Sequence, residues 1–325
     1  MKAIAQDRYG DAGVLRLQDI DRPVPGKGEV LIQVRAAGAD PGVWHTMTGV
    51  PYLMRVIGFG FRRPKVPVRG LALAGVVEAA GQGATRFRPG DEVFGTCRSG
   101  SFADYAVARQ DRLAPKPPAL TFEQAAALPV SAVTALQAVR DRAGIKAGQR
   151  VLITGAGGGV GTFAVQLAKA DGATVTGVCG AAKADLVRSI GADRVIDYTR
   201  EEIGAGGNTY DVIIDIAGQR PLAVLRRALA PRGTLVLAGG DRYDHPVVTG
   251  MSRQSRAALL SPFSSQRLRG LIARENAADL ETLAQLAESG AVTPVIDRTY
   301  PLEDAPEAIR RIASGHATGK GVVVI

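Results

Sequence analysis

The chain has 325 residues, 46% of them hydrophobic and 22% charged, which is an ordinary globular composition with room for two domains. No apolar run reaches the roughly 18 residues of a membrane span, and two distant cysteines, Cys97 and Cys179, exclude a disulfide framework and fit a reducing, cytoplasmic compartment. The net charge of +9 is scattered, its densest groups being Arg62-Arg63-Pro64-Lys65 and Arg267-Leu268-Arg269, so nucleic acid is not expected as a partner, and with no spanning run no membrane is expected either.

The start, Met1-Lys2-Ala3-Ile4, runs from a strand-like beginning into charge, unlike a signal peptide. To about residue 112 the pattern is short strands broken by glycine and proline. Val30, Ile32 and Val34 alternate with Leu31, Gln33 and Arg35, and residues 74–79, 92–95 and 102–107 also read as strands. This predicts a twisted, partly closed antiparallel β unit. Thr121 as N-cap and Gln124 three residues on make a capping box. The alanine-rich helical stretch it opens runs over 122–143, interrupted at Pro129. Strands at 151–154, 173–178, 194–196, 211–216 and 234–238 then alternate with helices at 161–170, 182–189 and 221–229. That alternation predicts an α/β, doubly wound parallel sheet. Helices near 278–289 and 305–314 and a strand-like 292–298 precede a last strand at 321–325. A terminal strand needs a sheet, and the first β unit is its natural host.

Residues 151–170 carry the chemistry most plainly: a buried-type strand, a glycine cluster, then helical spacing. The register is Ala156-x-Gly158-x-x-Gly161, with Gly159 and Val160 inside it, not the strict three-glycine form. Gly158 allows backbone to approach a pyrophosphate, and Gly161 lets the helix sit close on the strand. The second strand ends Val178-Cys179-Gly180-Ala181-Ala182-Lys183, without the acid that takes ribose hydroxyls in NAD-specific sites. A carboxylate there repels a 2′-phosphate, whereas its absence beside a lysine favours NADPH. Ala217 and Gly218 end a central strand and Gly239-Gly240 the next, at the carboxyl edge where ligands sit.

Residues 134–137, 148–153, 158–161, 166–169, 191–193 and 195–198, with the ending 315–320, resemble the medium-chain dehydrogenase/reductase superfamily. Within it the chain resembles the zinc-independent, zeta-crystallin-like quinone oxidoreductase branch. The resemblance implies a Rossmann domain (123–265) inserted in a GroES-like catalytic domain (1–122 and 266–325), and a homodimer. It also implies that Lys183 and Tyr198 hold the 2′-phosphate, that Thr134 borders the nicotinamide, that Phe263-Ser264 closes over it, and that Lys320 is a terminal cofactor contact. Zinc relatives carry a Gly-His-Glu motif where this chain has only Val68-Arg69-Gly70-Leu71-Ala72-Leu73-Ala74-Gly75, and there is no cysteine lobe, so no metal is expected. Two departures from the branch stand out. Ala72 replaces a customary Asp, and Asp40 replaces a customary Asn.

Without a metal, charge developing on a carbonyl oxygen must be delocalised, which favours quinones, enones and enals over simple alcohols. Asp40, Trp44 and Tyr52 are the candidates over the nicotinamide. Tyr52 can bond the substrate oxygen or donate a proton, an ionised Asp40 would oppose an enolate, and water can supply the proton instead. Gly58-Phe59-Gly60-Phe61 reads as an apolar pocket flap and identifies no substrate. The expectation is an NADPH-dependent reductase of a small quinone or α,β-unsaturated carbonyl compound. Enoyl or alcohol-type reduction, and cofactor binding with little turnover, stay open as alternatives.

Overall fold

The computed structural model describes residues 1–53, 55–239, 252–315 and 317–325. The chain divides into two units. One comprises Met1–Val133, Glu275–Gly290 and Pro294–Ile325, the other Thr134–Arg274 and Ala291–Thr293.

The first unit begins with β1 (Lys2–Ala5), β2 (Arg16–Asp19), β3 (Glu29–Ala39), β4 (Ala72–Ala80), β5 (Glu92–Thr96), β6 (Tyr105–Arg109) and β7 (Leu113–Pro115). The second supplies β8 (Arg150–Thr154), β9 (Thr174–Cys179), β10 (Arg194–Asp197), β11 (Tyr210–Asp215), β12 (Leu229–Leu237) and β13 (Arg267–Gly270). The chain then returns to the first unit for β14 (Ile296–Pro301) and β15 (Lys320–Val324).

β3 organises the first unit. It pairs with β4 through two register shifts, with β6 over Glu29–Gln33, and with β15 over Ala36–Ala39, all antiparallel. Such irregularities bend a strand and let one sheet curl. The order β14-β15-β3-β4-β5-β7 results, with β6 also on β3. The terminal strand thus joins the first β unit, as expected. Ile4, Val30, Ile32, Val34, Leu73, Val93, Phe102, Leu113 and Val323 fill the core.

The second unit is a six-stranded sheet in the order β10-β9-β8-β11-β12-β13, every neighbouring pair parallel. The chain steps outward from β8 to β10 and returns to the other side of β8 for β11. This reversal is the topological switch point of a doubly wound fold. Its central strands β8 and β11 are buried on both faces and read as continuous apolar runs, Val-Leu-Ile in β8 and Val-Ile-Ile in β11.

The unit boundaries differ from 122/123 and 265/266 for physical reasons. The capping box forms as expected, with Thr121 N–H bonded to Gln124 Oε1 at 3.0 Å and Gln124 N–H to Thr121 Oγ1 at 3.3 Å. The helix it opens, Phe122–Ala126, packs on β3 and β4, and so belongs to the first unit. The helical stretch resumes beyond Pro129 as Ser131–Leu136, and the division falls at 133/134. At the other end, β13 extends the parallel sheet beside β12, which keeps the chain in the second unit as far as Arg274.

Leu152 is fully buried on β8. Leu152→Ala is expected to lower the stability of the chain by about 2–5 kcal/mol, read from urea unfolding followed by far-UV circular dichroism.

Candidate functional site

In the second unit the carboxyl ends of the strands gather the cofactor-type residues. β8 runs into Gly155, whose φ of 69° is open to glycine. A Cβ on Gly155 would lie 3.2 Å from the Ala217 nitrogen, so the turns after β8 and β11 meet at the switch point. Ala156 N–H bonds Val178 O at 3.1 Å, and Gly158 N–H bonds Gly155 O at 3.0 Å, closing the loop. Helix Gly159–Ala170 starts there with Gly158 as its N-cap. Its first-turn N–H groups, at Gly159, Val160 and Gly161, form a ready anion site. A Cβ on Gly161 would stand 2.0 Å from Gly155 O and 2.7 Å from Ala156 Cα. The close approach of helix to strand therefore requires glycine.

Of the two side chains proposed for a 2′-phosphate, Lys183 is brought to this loop and Tyr198 to the turn after β9. A Cβ on Gly157 would lie 2.9 Å from Lys183 Cβ, so the lysine stem runs against the glycine turn. Tyr198, exposed, stands with its ring 3.6 Å and its hydroxyl 3.8 Å from where a Cβ of Gly180 would be. Cys179 ends β9 beneath them, its thiol pushed up by burial and by the Asp197 charge. Asp197, the nearest acid in sequence to Tyr198, is turned onto its own loop, accepting Thr199 N–H at 3.0 Å and the Thr199 hydroxyl at 2.8 Å. Those bonds hold its carboxyl below the usual range.

Gly239 completes the edge. A Cβ there would lie 2.0 Å from Ile216 O and 3.2 Å from Gly218 N, which joins the turns after β11 and β12. Gly240 lies outside the described residues. Thr134 is half-buried in helix Ser131–Leu136, at the start of the second unit.

Sequence reasoning alone misses a supporting network here. Thr154 donates its hydroxyl to Asp215 at 2.6 Å and accepts the N–H groups of Ile216 and Ala217 at 3.1 and 3.2 Å. Arg253 bridges the other Asp215 oxygen and Arg220 O, both at 2.7 Å. Asp215 is thereby a buried brace for the Ala217 turn and not an acid for chemistry. The only signal for it in the sequence is a threonine and an aspartate at the ends of two strands.

Phe263 and Ser264 are not with this group. They precede β13, at the amino edge of the sheet, opposite the glycine turn. Ser264 accepts from Arg226 at 3.2 Å, Gln266 beside it donates to Leu229 O at the start of β12, and Phe263 is 91% exposed. What lies at the carboxyl edge instead is the end of β13, where Leu271 N–H bonds Leu237 O at 3.0 Å.

Lys320 also departs from expectation. It is buried in the first unit, at the start of β15, where its ammonium donates to Asp40 Oδ1, to Ser131 Oγ at 3.0 Å and to Ala39 O at 3.2 Å. Those three acceptors match its three donors, which leaves none to offer a cofactor. Asp40 precedes helix Pro41–Thr48 but makes no cap bond, because its carboxylate is turned inward to Lys320 and Ser131. Gly38 makes room, since a Cβ there would lie 2.5 Å from Ala126 O and 3.3 Å from Asp40 Oδ2. Trp44 is half-buried on that helix, edge-on to the His45 ring at 5.2 Å. Tyr52 is exposed, its ring under the Arg55 guanidinium at 4.6 Å.

Cys97 lies in the first unit's core, where burial pushes its thiol up to about 12. Among the described residues no cluster of three His, Cys, Asp or Glu is placed to hold an ion, and no helix is long and apolar enough to cross a membrane.

A curled β unit built from both chain ends, interrupted in sequence by a doubly wound parallel sheet with a glycine turn at its switch point, defines a GroES-like and Rossmann-type oxidoreductase. Comparison with known proteins agrees. Residues 26–118 match the family model for the alcohol dehydrogenase GroES-like domain, and residues 190–323 the one described as zinc-binding dehydrogenase. The chloroplastic quinone-oxidoreductase QR1 of Triphysaria versicolor is 35% identical, covering 99% of this chain and 98% of its own. Mouse quinone oxidoreductase is 33% identical over 100% and 98%. The Escherichia coli quinone oxidoreductase structure, solved with NADPH, matches at a TM-score of 0.84 and 25% identity over the full length of both chains. The chain belongs to the medium-chain dehydrogenase/reductase superfamily, in its quinone oxidoreductase branch, and is an oxidoreductase.

Removing one member of a buried ion pair strands the other. Lys320→Met is expected to cost about 3–5 kcal/mol in urea unfolding, and adding Asp40→Leu to recover most of it.

Proposed function

We propose that the protein is a zinc-independent, NADPH-dependent oxidoreductase that reduces a quinone or an α,β-unsaturated carbonyl compound. The observation that carries the cofactor half is Lys183 lying against the glycine turn with Tyr198 over Gly180, at the end of a strand without an acid. The glycine-rich edge fits a dinucleotide because a Cβ at Gly161 would fill the space the turn and helix need to meet. When bound, NADPH supplies a hydride. The protein's part is positional. The N–H groups of Gly158 to Gly161 would take the pyrophosphate, Lys183 and Tyr198 the 2′-phosphate, and Ala217, Gly218 and Gly239 would admit the dinucleotide backbone along the strand ends.

The substrate half rests on the named relatives and on the donor set. The residues present do not suit zinc, since the segment that carries ligands in zinc relatives has Ala72 and Leu73 here, and neither is a ligand-type side chain. Charge on the substrate oxygen is then best met by conjugation within the substrate itself. Asp40 is already paired with Lys320 and takes no part as an acid. Of the three candidates Tyr52 is the most exposed, and we assign it the hydrogen bond to the substrate oxygen, with Trp44 as pocket wall. Two buried free thiols suit a reducing compartment, and cytoplasm remains our proposal although QR1 is described as chloroplastic. We also propose the homodimer that the family implies.

Lys183→Ala is expected to raise the KM for NADPH at least about tenfold and leave that for NADH little changed, the loss of one charge-assisted phosphate contact. An unchanged preference would sink the 2′-phosphate assignment. Steady NADPH oxidation with 9,10-phenanthrenequinone or an enone supports the reductase, whereas binding without turnover across a broad panel replaces it with a cofactor-binding role.

A further inference from the structure

The stretch following helix Pro41–Thr48 turns apolar side chains outward. Leu53, Phe59 and Val66 are exposed, and Val56 and Phe61 reach 69% and 72% exposure. The backbone beneath them is firmly held. Tyr9 donates its hydroxyl to Gly60 O at 2.7 Å, with Phe59 O at 3.0 Å. Arg55 donates to Gly49 O at 2.9 Å and to Thr48 O at 2.8 Å, and its guanidinium lies over the Tyr9 and Tyr52 rings at 4.3 and 4.6 Å. Gly60, at φ 109°, has no space for a Cβ, which would lie 2.1 Å from Arg63 O. The outward display therefore belongs to an anchored loop, and its apolar tips cannot fold back without breaking these ties.

Charge sets the partner. No Asp or Glu occurs between Asp40 and Glu78, while Arg62, Arg63 and Lys65 are exposed directly beside Phe61. Apolar tips interleaved with cations on an acid-free loop are the composition of a surface that enters the headgroup–acyl boundary of anionic lipid. A second copy of the same loop would bring like charges together, and a nucleic acid would gain nothing from Val56 or Leu53. We propose that Leu53, Val56, Phe59 and Phe61, flanked by Arg62, Arg63 and Lys65, seat the protein on an anionic membrane surface. Among the described residues no helix is long and apolar enough to cross a membrane, and the contact proposed here needs none. The inference is independent of the cofactor assignment.

The test is co-sedimentation of the full chain with vesicles of phosphatidylcholine alone and of phosphatidylcholine with phosphatidylglycerol. Binding is expected to the anionic vesicles only and to weaken with salt. Arg62→Glu with Arg63→Glu should lower the partition coefficient at least about tenfold, and Val56→Asp with Phe61→Asp by a similar factor, with unchanged far-UV circular dichroism. As a readout that does not depend on these variants folding, Trp44→Phe with Phe61→Trp should show blue-shifted emission on anionic vesicles. Wild-type protein that stays in the supernatant, binding indifferent to both pairs, or an unshifted spectrum overturns the proposal. So does loop-dependent self-association or retention on RNA in place of vesicles.

Discussion

The second unit depends on one steric fact: a side chain at position 161 would collide with Gly155 O at 2.0 Å. Only glycine lets the first turn of the helix press onto the end of β8. That contact aims the helix N-terminus at the crevice where strand order reverses. The same economy recurs at Gly239, where a side chain would meet Ile216 O, also at 2.0 Å. Removing side chains at the strand ends brings three turns together and leaves backbone, not side chains, facing whatever binds. Thr154, Asp215 and Arg253 then brace the arrangement from below, and the binding edge needs no acidic group of its own.

A charge plays the corresponding part in the first unit. Lys320 begins the last strand and Asp40 follows the third, 280 residues apart in sequence, and their buried pair pins the C-terminal strand to the sheet made by the N-terminal part. Buried ion pairs contribute little net stability but are costly to break, so their value lies in fixing one arrangement. The carboxylate customary at 72 in this branch is absent, and one stands at 40 where Asn is customary. Gly38, opposite Ala72 in the β3–β4 register, leaves the room this carboxylate occupies.

Features set by near neighbours are legible in the sequence itself. The capping box at Thr121, the strand–glycine–helix unit at 151–170 and the alternation behind the doubly wound sheet all rest on residues a few positions apart. The terminal strand's host is legible for a related reason, since an unpaired strand must find an edge. Long-range features are not legible in this way. Arg267-Leu268-Arg269 gives no strand signal alone and becomes β13 only because β12 offers an edge. Motif position assigns Phe263-Ser264 to the cofactor, yet the pair lies before β13 rather than after it, and in a parallel sheet that puts it at the opposite edge. Motif position likewise makes Lys320 a cofactor contact, whereas its ammonium is spent on Asp40, Ser131 and Ala39. Asp40 lies too far along the chain for any spacing rule to pair the two.

Cofactor choice turns on where a carboxylate stands and what it faces. An acid ending β9 would meet the ribose hydroxyls and repel a 2′-phosphate, and here that position is Cys179-Gly180. An acid does end β10, at Asp197, one residue before Tyr198. Its Oδ1 accepts the Thr199 N–H and hydroxyl, and Arg200 stands 3.7 Å from its Oδ2. Lys183, one short turn beyond β9, is the cation set against the glycine loop. The helix N-terminus and the Lys183 stem thus border one loop, while the Asp197 carboxylate bonds within its own. In the proposed reading, this arrangement is what suits a phosphate rather than a hydroxyl at the 2′ position.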